Sequence, residues 1–243
     1  MILLVDNVLF LKYKRIYFPS LVPEVGCFEL VSIRQCSKKI AFILDQKKWH
    51  KIAFTTLHSN LQEDEEYLFS NISKNTKYKI NRAKKEGVET ATTSIDEFLP
   101  FFNSFAPSRS LKKLKRNNLV IYKDTLIITK AFRGEQLFAM HAYVLDKDEM
   151  RVRLLYSATI NRCADNIDLN LIGRANRLLH WYDMLYFKKN GFLIYDWGGV
   201  ALDDGTKETV GIDAFKMAFG GKIVEEPHYE SRMLFLLKKI LRK

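Results

Sequence analysis

The feature that most constrains this chain is a long amphipathic helix lodged between a strand meander and a short buried strand. From about Asp165 to Lys189, the residues Ile167, Leu171, Ala175, Leu178, Tyr182 and Leu185 form one apolar stripe at helical spacing, and Gly191 stops it. Three strand candidates precede it: Thr125 to Phe132, Gln136 to Leu145 and Met150 to Ala158. The turns Arg133-Gly134-Glu135 and Asp146-Lys147-Asp148-Glu149 join them. Phe192 to Tyr195 follows as a short buried strand. A helix linking two strands of one sheet makes them parallel, and the crossover right-handed. A mixed sheet is therefore expected.

The rest of the chain reads as strands first and helices later. Residues 1–56 hold short β-rich runs: Val8 to Leu11, Phe28 to Ile33, Ile40 to Leu44 and Ile52 to Leu57. Glu63 to Lys85 reads as a helix, with Leu68, Ile72, Thr76, Ile80 and Ala83 on one face. After a short strand (Val88 to Thr92), Ser94 is placed to cap a helix running through Phe105. Val210 to Phe219 is helical, Lys222 to Glu226 a last strand, and Met233 to Lys243 a basic amphipathic helix. This order describes an α+β fold with a mixed central sheet and helices on both faces, in one continuous domain. Residues 1–56 would complete or flank the sheet, and 57–243 would form its main body.

Lys and Arg number 39 against 28 Asp and Glu, a formal charge of +11, which points to a negatively charged partner. Cys27, Cys36 and Cys163 lack metal spacing and read as reduced thiols of a cytoplasmic protein. The apolar start Met1 to Val5 has no basic lead and no cleavage site, and no apolar run reaches the ~20 residues of a membrane span. The tail helix, with Leu236, Leu237 and Ile240 beside Lys238 and Lys239, suits either docking on the core or contact with the inner membrane face. The five histidines are scattered, so no metal is expected.

Four stretches could carry chemistry. At the strand–helix join, Tyr156 ends a strand, Asn161 to Asp165 is a polar loop, and a helix N-terminus follows with Asn166, Arg162, Arg174 and Arg177 near it, an arrangement suited to anions. Tyr195-Asp196-Trp197-Gly198-Gly199 ends a buried strand, where α/β sheets place ligands. Gly211 to Gly221 holds Phe215-Lys216 on a short helix. Lys74, Lys77, Lys79, Arg82, Lys84 and Lys85 wrap a fourth, basic helix that could grip phosphates.

The last three stretches together resemble the Fem-type transferases, peptidoglycan cross-bridge aminoacyltransferases of the N-acetyltransferase-like (GNAT) superfamily. Asn75 to Val88 resembles their basic "R-x-x-I-x-x-A-x-K-x-G-V" segment, Tyr195 to Gly199 their strand-turn, and Gly211 to Gly221 their "G-I-x-x-F-K-x-x-F-G-G". The resemblance spans roughly Leu57 to Glu226 and implies a GNAT-like N-acyltransferase that moves an activated acyl group onto an amine. It puts Lys216 at the reaction centre, stabilising an oxyanion or holding donor phosphates. Asp196 and Tyr156 join it as catalytic candidates, Asp196 to orient or deprotonate the amine. Phe215, Arg162, Asn166, Arg174 and Arg177 are donor-binding candidates; Lys77, Lys79, Arg82 and Trp197 are acceptor-binding candidates. The chain has room for one such domain where the cross-bridge enzymes carry two. A smaller acceptor follows, such as an amino sugar on a nucleotide or lipid carrier in cell-wall or surface-polysaccharide synthesis. The superfamily's "Q/R-x-x-G-x-G/A" loop has no glycine counterpart in Ile160 to Asn166, so the donor stays open between acyl-CoA and aminoacyl-tRNA. A non-catalytic nucleic-acid-binding module is the alternative reading of the same basic surface.

Overall fold

The computed structural model describes residues 1–8, 10–26, 29–160, 168–202 and 207–241. The strand meander and the long helix occur as expected. Strands β7 (Leu126–Arg133), β8 (Gln136–Asp146) and β9 (Arg151–Thr159) run antiparallel, and helix α6 (Leu169–Lys189) crosses over to β10 (Ile194–Gly199), which pairs with β9 in parallel. β5 (Thr55–Asn60), β6 (Glu89–Thr93) and β11 (Lys222–Glu225) complete a seven-stranded sheet in the order β11-β5-β10-β9-β8-β7-β6.

Helices cover both faces of this sheet. On one face α6 and α3 (Lys74–Lys85) enclose the largest core, from Leu57, Ile80 and Leu171 to Trp197 and Phe219. On the other, α4 (Ile95–Phe105) buries Phe98 and Phe102 against Ile128, Met140 and Ala158. Burying each such side chain contributes about 1.5–3 kcal/mol, which is what keeps the helices on the sheet.

A second sheet lies beside the first, in the order β1-β2-β3-β12-β4. Its members are β1 (Ile2–Val8), β2 (Leu11–Tyr17), β3 (Leu30–Arg34), β4 (His50–Ile52) and β12 (His228–Glu230). Ile2, Leu4 and Phe18 pack toward Tyr122 and Val144, joining the two sheets. The opposite face carries α1 (Lys38–Gln46). That segment was expected to hold a strand. Ser37 instead caps a helix, its Oγ accepting from the Ile40 N–H, and Ile40, Ala41 and Leu44 turn inward at helical spacing. The single helix expected from Glu63 to Lys85 is two, α2 (Glu65–Ser70) and α3, because Asp64 and Ser73 each cap a new start. Of the remaining helices, α5 (Asn117–Val120) is one turn, α7 (Lys207–Met217) carries Lys216, and α8 (Arg232–Leu241) stacks Phe235 on His50. Cys36 is a buried free thiol, while Cys27 and Cys163 lie outside the described residues. No helix among the described residues is long and apolar enough to cross a membrane.

Candidate active site

The site is built where two parallel strands part. β9 and β10 share a ladder only from Arg151↔Ile194 to Arg153↔Asp196. Beyond it β10, paired with β5 from Ile194↔Asn60 onward, stays with β5 through a register shift to Gly199↔Thr56, while β9 stays with β8. A bulge in β9 assists the parting. Tyr143 opposes Leu154 and Ala142 opposes Tyr156, so Leu155 is an extra residue left out of the ladder. Side chains change faces across it: Val152 and Leu154 pack under α6, whereas Tyr156 and Ala158 pack under α4.

Glycine is required at the mouth of this gap. Gly198 has φ +73°, and a Cβ there would meet the Leu154 carbonyl oxygen at 3.3 Å. Lys216, delivered by α7, closes the end of β10: its Nζ donates to the Gly199 carbonyl at 2.6 Å. Burial lowers the pKa of this ammonium, Asp213 and Asp196 oppose that, and Arg153 adds to it.

On the α6 side, Phe215 carries the Arg177 guanidinium 4.7 Å from its ring centroid and packs against His180 and Phe219. Arg177 Nη1 also donates to the Gly173 carbonyl, and its buried Nε has no partner. Lys79 lies nearby; burial and then the charges of Arg177 and Arg174 lower its pKa. The other cations assigned from sequence are committed locally. Arg174 pairs with Glu86 and Asp168, Arg82 with Glu86, and Lys77 donates to the Ser70 carbonyl. Arg162 and Asn166 lie outside the described residues.

The opposite side faces the second sheet and holds residues that sequence reasoning missed. Arg15 and Tyr17 on β2 align with Ser32 and Arg34 on β3. Arg153 on β9 points toward them, its guanidinium 5.8 Å from the Tyr17 ring centroid. Arg15 Nε, Ser32 Oγ and Arg153 Nε are buried without a hydrogen-bond partner, and Arg153 Nε lies 4.0 Å from Asp196 Oδ2. Tyr156 belongs to this side too, edge-on to Phe102; burial and then Tyr17 raise its pKa, opposed by Arg15 and Arg153. The signal lay in period-two patterns, Tyr13-x-Arg15-x-Tyr17 and Arg151-x-Arg153, which put like residues on one face of a strand.

Two expectations are corrected by this geometry. Trp197 was assigned to the acceptor, but it is 1% exposed in the core, with Nε1 donating to Ser59 Oγ. β10 continues through Gly199 instead of ending before the glycines, so Tyr195 and Trp197 face α6 and Asp196 faces the other way. Asp196 was given the amine's proton, but its carboxylate is fully engaged. It accepts from Gln35 Nε2 (2.7 Å), Thr56 Oγ1 (2.5 Å), Arg151 Nη2 (2.5 Å) and the Gly198 N–H (2.8 Å). Burial by itself raises this pKa; Arg151, Arg153, His58 and Thr56 together outweigh it and hold the carboxyl well below the usual range. Such a carboxylate is a poor proton acceptor near neutral pH.

Two groups of side chains have the composition of metal ligands, although the histidines are scattered in sequence: His58, Asp196 and Glu226, and His141, His180 and Asp183. In the first, the Arg151 guanidinium already occupies the centre, with Nη2 2.5 Å from both carboxylates and 2.9 Å from His58 Nε2. In the second, the ligand atoms are hydrogen-bonded to Asn176, Tyr143 and Tyr195. The first set is thus filled by a cation of the chain itself, while in the second Asp183 Oδ1 lacks a hydrogen-bond partner.

The fold so defined is shared with solved structures. FemX superposes with a TM-score of 0.70 at 11% identity, over 99% of this chain and 86% of that one. A C-terminal domain from Agrobacterium fabrum assigned to a lysylphosphatidylglycerol synthetase gives 0.64 at 8% identity, over 98% and 84%. L-PGS from Bacillus licheniformis gives 0.59 at 12%, over 99% and 86%. No family model and no curated protein matches the sequence.

Proposed function

We propose that this protein transfers an activated acyl or aminoacyl group onto the amine of a phosphate-bearing acceptor of the cell envelope. The observation that carries the reading is the parted β9/β10 pair with Lys216 at its end and cations on both faces. Phe215 and Arg177 would receive the phosphates of the donor, an acyl-CoA or an aminoacyl-tRNA, and Lys79, expected from sequence on the acceptor side, lies with Arg177 and would join them. Arg15, Arg34 and Arg153 would hold the phosphate of a nucleotide- or lipid-linked acceptor such as an amino sugar. The buried Nε atoms of Arg15 and Arg153, which lack hydrogen-bond partners, favour an anion, and a charge-assisted bond to one is about twice as strong as a neutral one. The likeness to FemX and to a lysylphosphatidylglycerol synthetase agrees with aminoacyl transfer and an envelope acceptor.

In this reading the neutral acceptor amine attacks the donor carbonyl, whose oxygen gains charge beside Lys216. The tetrahedral intermediate collapses by breaking the thioester C–S or ester C–O bond, and the amine's proton leaves with the departing thiolate or ribose oxygen. One of the three Lys216 protons is held by Gly199, which orients the other two. Asp196 acts as the anchor of β10. The chemistry would take place on the cytoplasmic side, where both donor classes are made, and α8 with its exposed Leu236 and Ile240 offers a peripheral membrane contact.

Lys216→Ala should lower turnover by about 10²–10³ in a panel of acyl-CoAs and charged tRNAs, with the circular dichroism spectrum unchanged. Undiminished turnover would remove Lys216 from the centre. Salt-sensitive RNA binding that survives the substitution, with no transfer by the wild type, would favour a binding module instead.

A further inference from the structure

The hairpin between β1 and β2 has the wrong polarity for a turn in water. Its ladder runs to Val8↔Leu11, and Phe10 stands at this end of the hairpin. Hairpin ends in water favour Asn, Asp and Gly, yet the sequence here, Val8 to Leu11, is four consecutive apolar residues. Phe10 is 103% exposed.

The surface behind this tip is both apolar and basic. Residues opposed in an antiparallel pair share a face, so Leu3 lies with Ile16, Val5 with Lys14 and Asn7 with Lys12. Leu3 and Val5 are exposed, and α1 on the same face exposes Phe42 beside Lys38 and Lys39. Residues 1–56 contain nine Lys or Arg against four Asp or Glu, close to half of the whole chain's net charge in under a quarter of its length. Apolar tip and cationic flank together are complementary to an anionic bilayer, whose lipid phosphates attract lysines while its acyl boundary takes an aromatic ring.

We infer that the β1–β2 hairpin docks on an anionic lipid surface, inserting Phe10 below the headgroups with Lys12 and α1 against the lipid phosphates. The docking stands independently of any transfer reaction. Joined to the transfer reading, on which this last point rests, β2 becomes a spacer. At ~3.3 Å per residue it sets Arg15 and Tyr17 roughly 16–23 Å from the inserted ring, a reach that suits an acceptor held on a lipid.

Flotation of the full chain with phosphatidylcholine vesicles, with and without 30 mol% phosphatidylglycerol, tests this (about 0.1 M NaCl). Binding is expected to the anionic vesicles and to weaken at 0.5 M NaCl. Phe10→Asp should cut the partition coefficient about tenfold or more, leave the melting curve unchanged, and be matched by no loss in Phe10→Trp. Equal flotation of Phe10→Asp and wild type, or no flotation of the wild type, overturns the inference. So does loss on Ile240→Asp instead, which would move the contact to α8. A dimer dissolved by Phe10→Asp without vesicle binding would show that the hairpin meets a second copy of the chain. These measurements need no turnover, so they succeed or fail apart from Lys216.

Discussion

The two faces of the larger sheet bury polar groups in opposite ways. Under α6 a hydrogen-bonded chain runs through the core. His180 Nδ1 meets the Tyr195 hydroxyl, Tyr195 meets Tyr143, Tyr143 donates to Asp183 Oδ2, and Asp183 and Asn176 flank His141. Among its buried atoms Asp183 Oδ1 lacks a partner. Toward the second sheet, the unpartnered atoms include Arg15 Nε, Ser32 Oγ, Arg151 Nε and Arg153 Nε. These can donate, with Gln35 Oε1 an unpartnered acceptor on the same side and Asp196 Oδ2 4.0 Å from Arg153 Nε. A network closed on itself specifies a core, whereas several idle donors converging on one space mark a place made for an acceptor from outside.

Three measurements break or sharpen that contrast. The largest effect belongs to the closed network. Asp183→Ala strands His141 and Tyr143 in the core and should cost about 3 kcal/mol in urea unfolding. A loss under 1 kcal/mol would mean that the chain does not hold the core together. Arg153→Met should do the reverse, leaving stability near wild type while the affinity for a phosphate-bearing acceptor analogue falls roughly tenfold to hundredfold, the worth of one charge-assisted bond. Unchanged affinity would place the anion elsewhere.

At neutral pH the smallest effect lies on the cationic side, where it grows only as the pH falls. Burial first, then Arg34 and Arg153, push the His228 imidazole down to about 3 against the pull of Asp196. The native ring is neutral, with Nδ1 accepting from the Gln35 N–H at 2.9 Å. The unfolded chain binds a proton near pH 6.5, so it holds more protons than the native state below that value. Stability is then full above about pH 6.5 and falls toward pH 3, by up to about 1.4 kcal/mol per unit from this residue. Denaturant unfolding at pH 7, 6, 5 and 4 should show a shallower slope in His228→Gln; parallel slopes would remove His228 as the source.

What could be read from the chain beforehand was whatever is local. The α6 stripe, the β7–β9 meander and the Phe215-Lys216 helix each lie within one stretch, and their periods show directly. Ile40 to Leu44 is apolar in a way that suits strand or helix, and only Ser37 as a cap decides it. Asp196 and Trp197 were misjudged because two glycines suggested a turn where the strand continues, putting neighbours on opposite faces. Arg15, Arg34 and Arg153 come from three strands far apart in sequence. No spacing rule joins them until the sheets are assembled.

β12 has a consequence in time as well as in space. It lies between β3 and β4 and forms antiparallel ladders with both. The bond from the Gln35 N–H to His228 spans 193 positions. On a growing chain β3 is therefore made long before its neighbour and waits with one edge bare, a state that invites wrong partners. The strand that completes this smaller sheet is among the last parts to set, so competence should trail compaction: the larger sheet can form while the space beside Arg153 is still open to water.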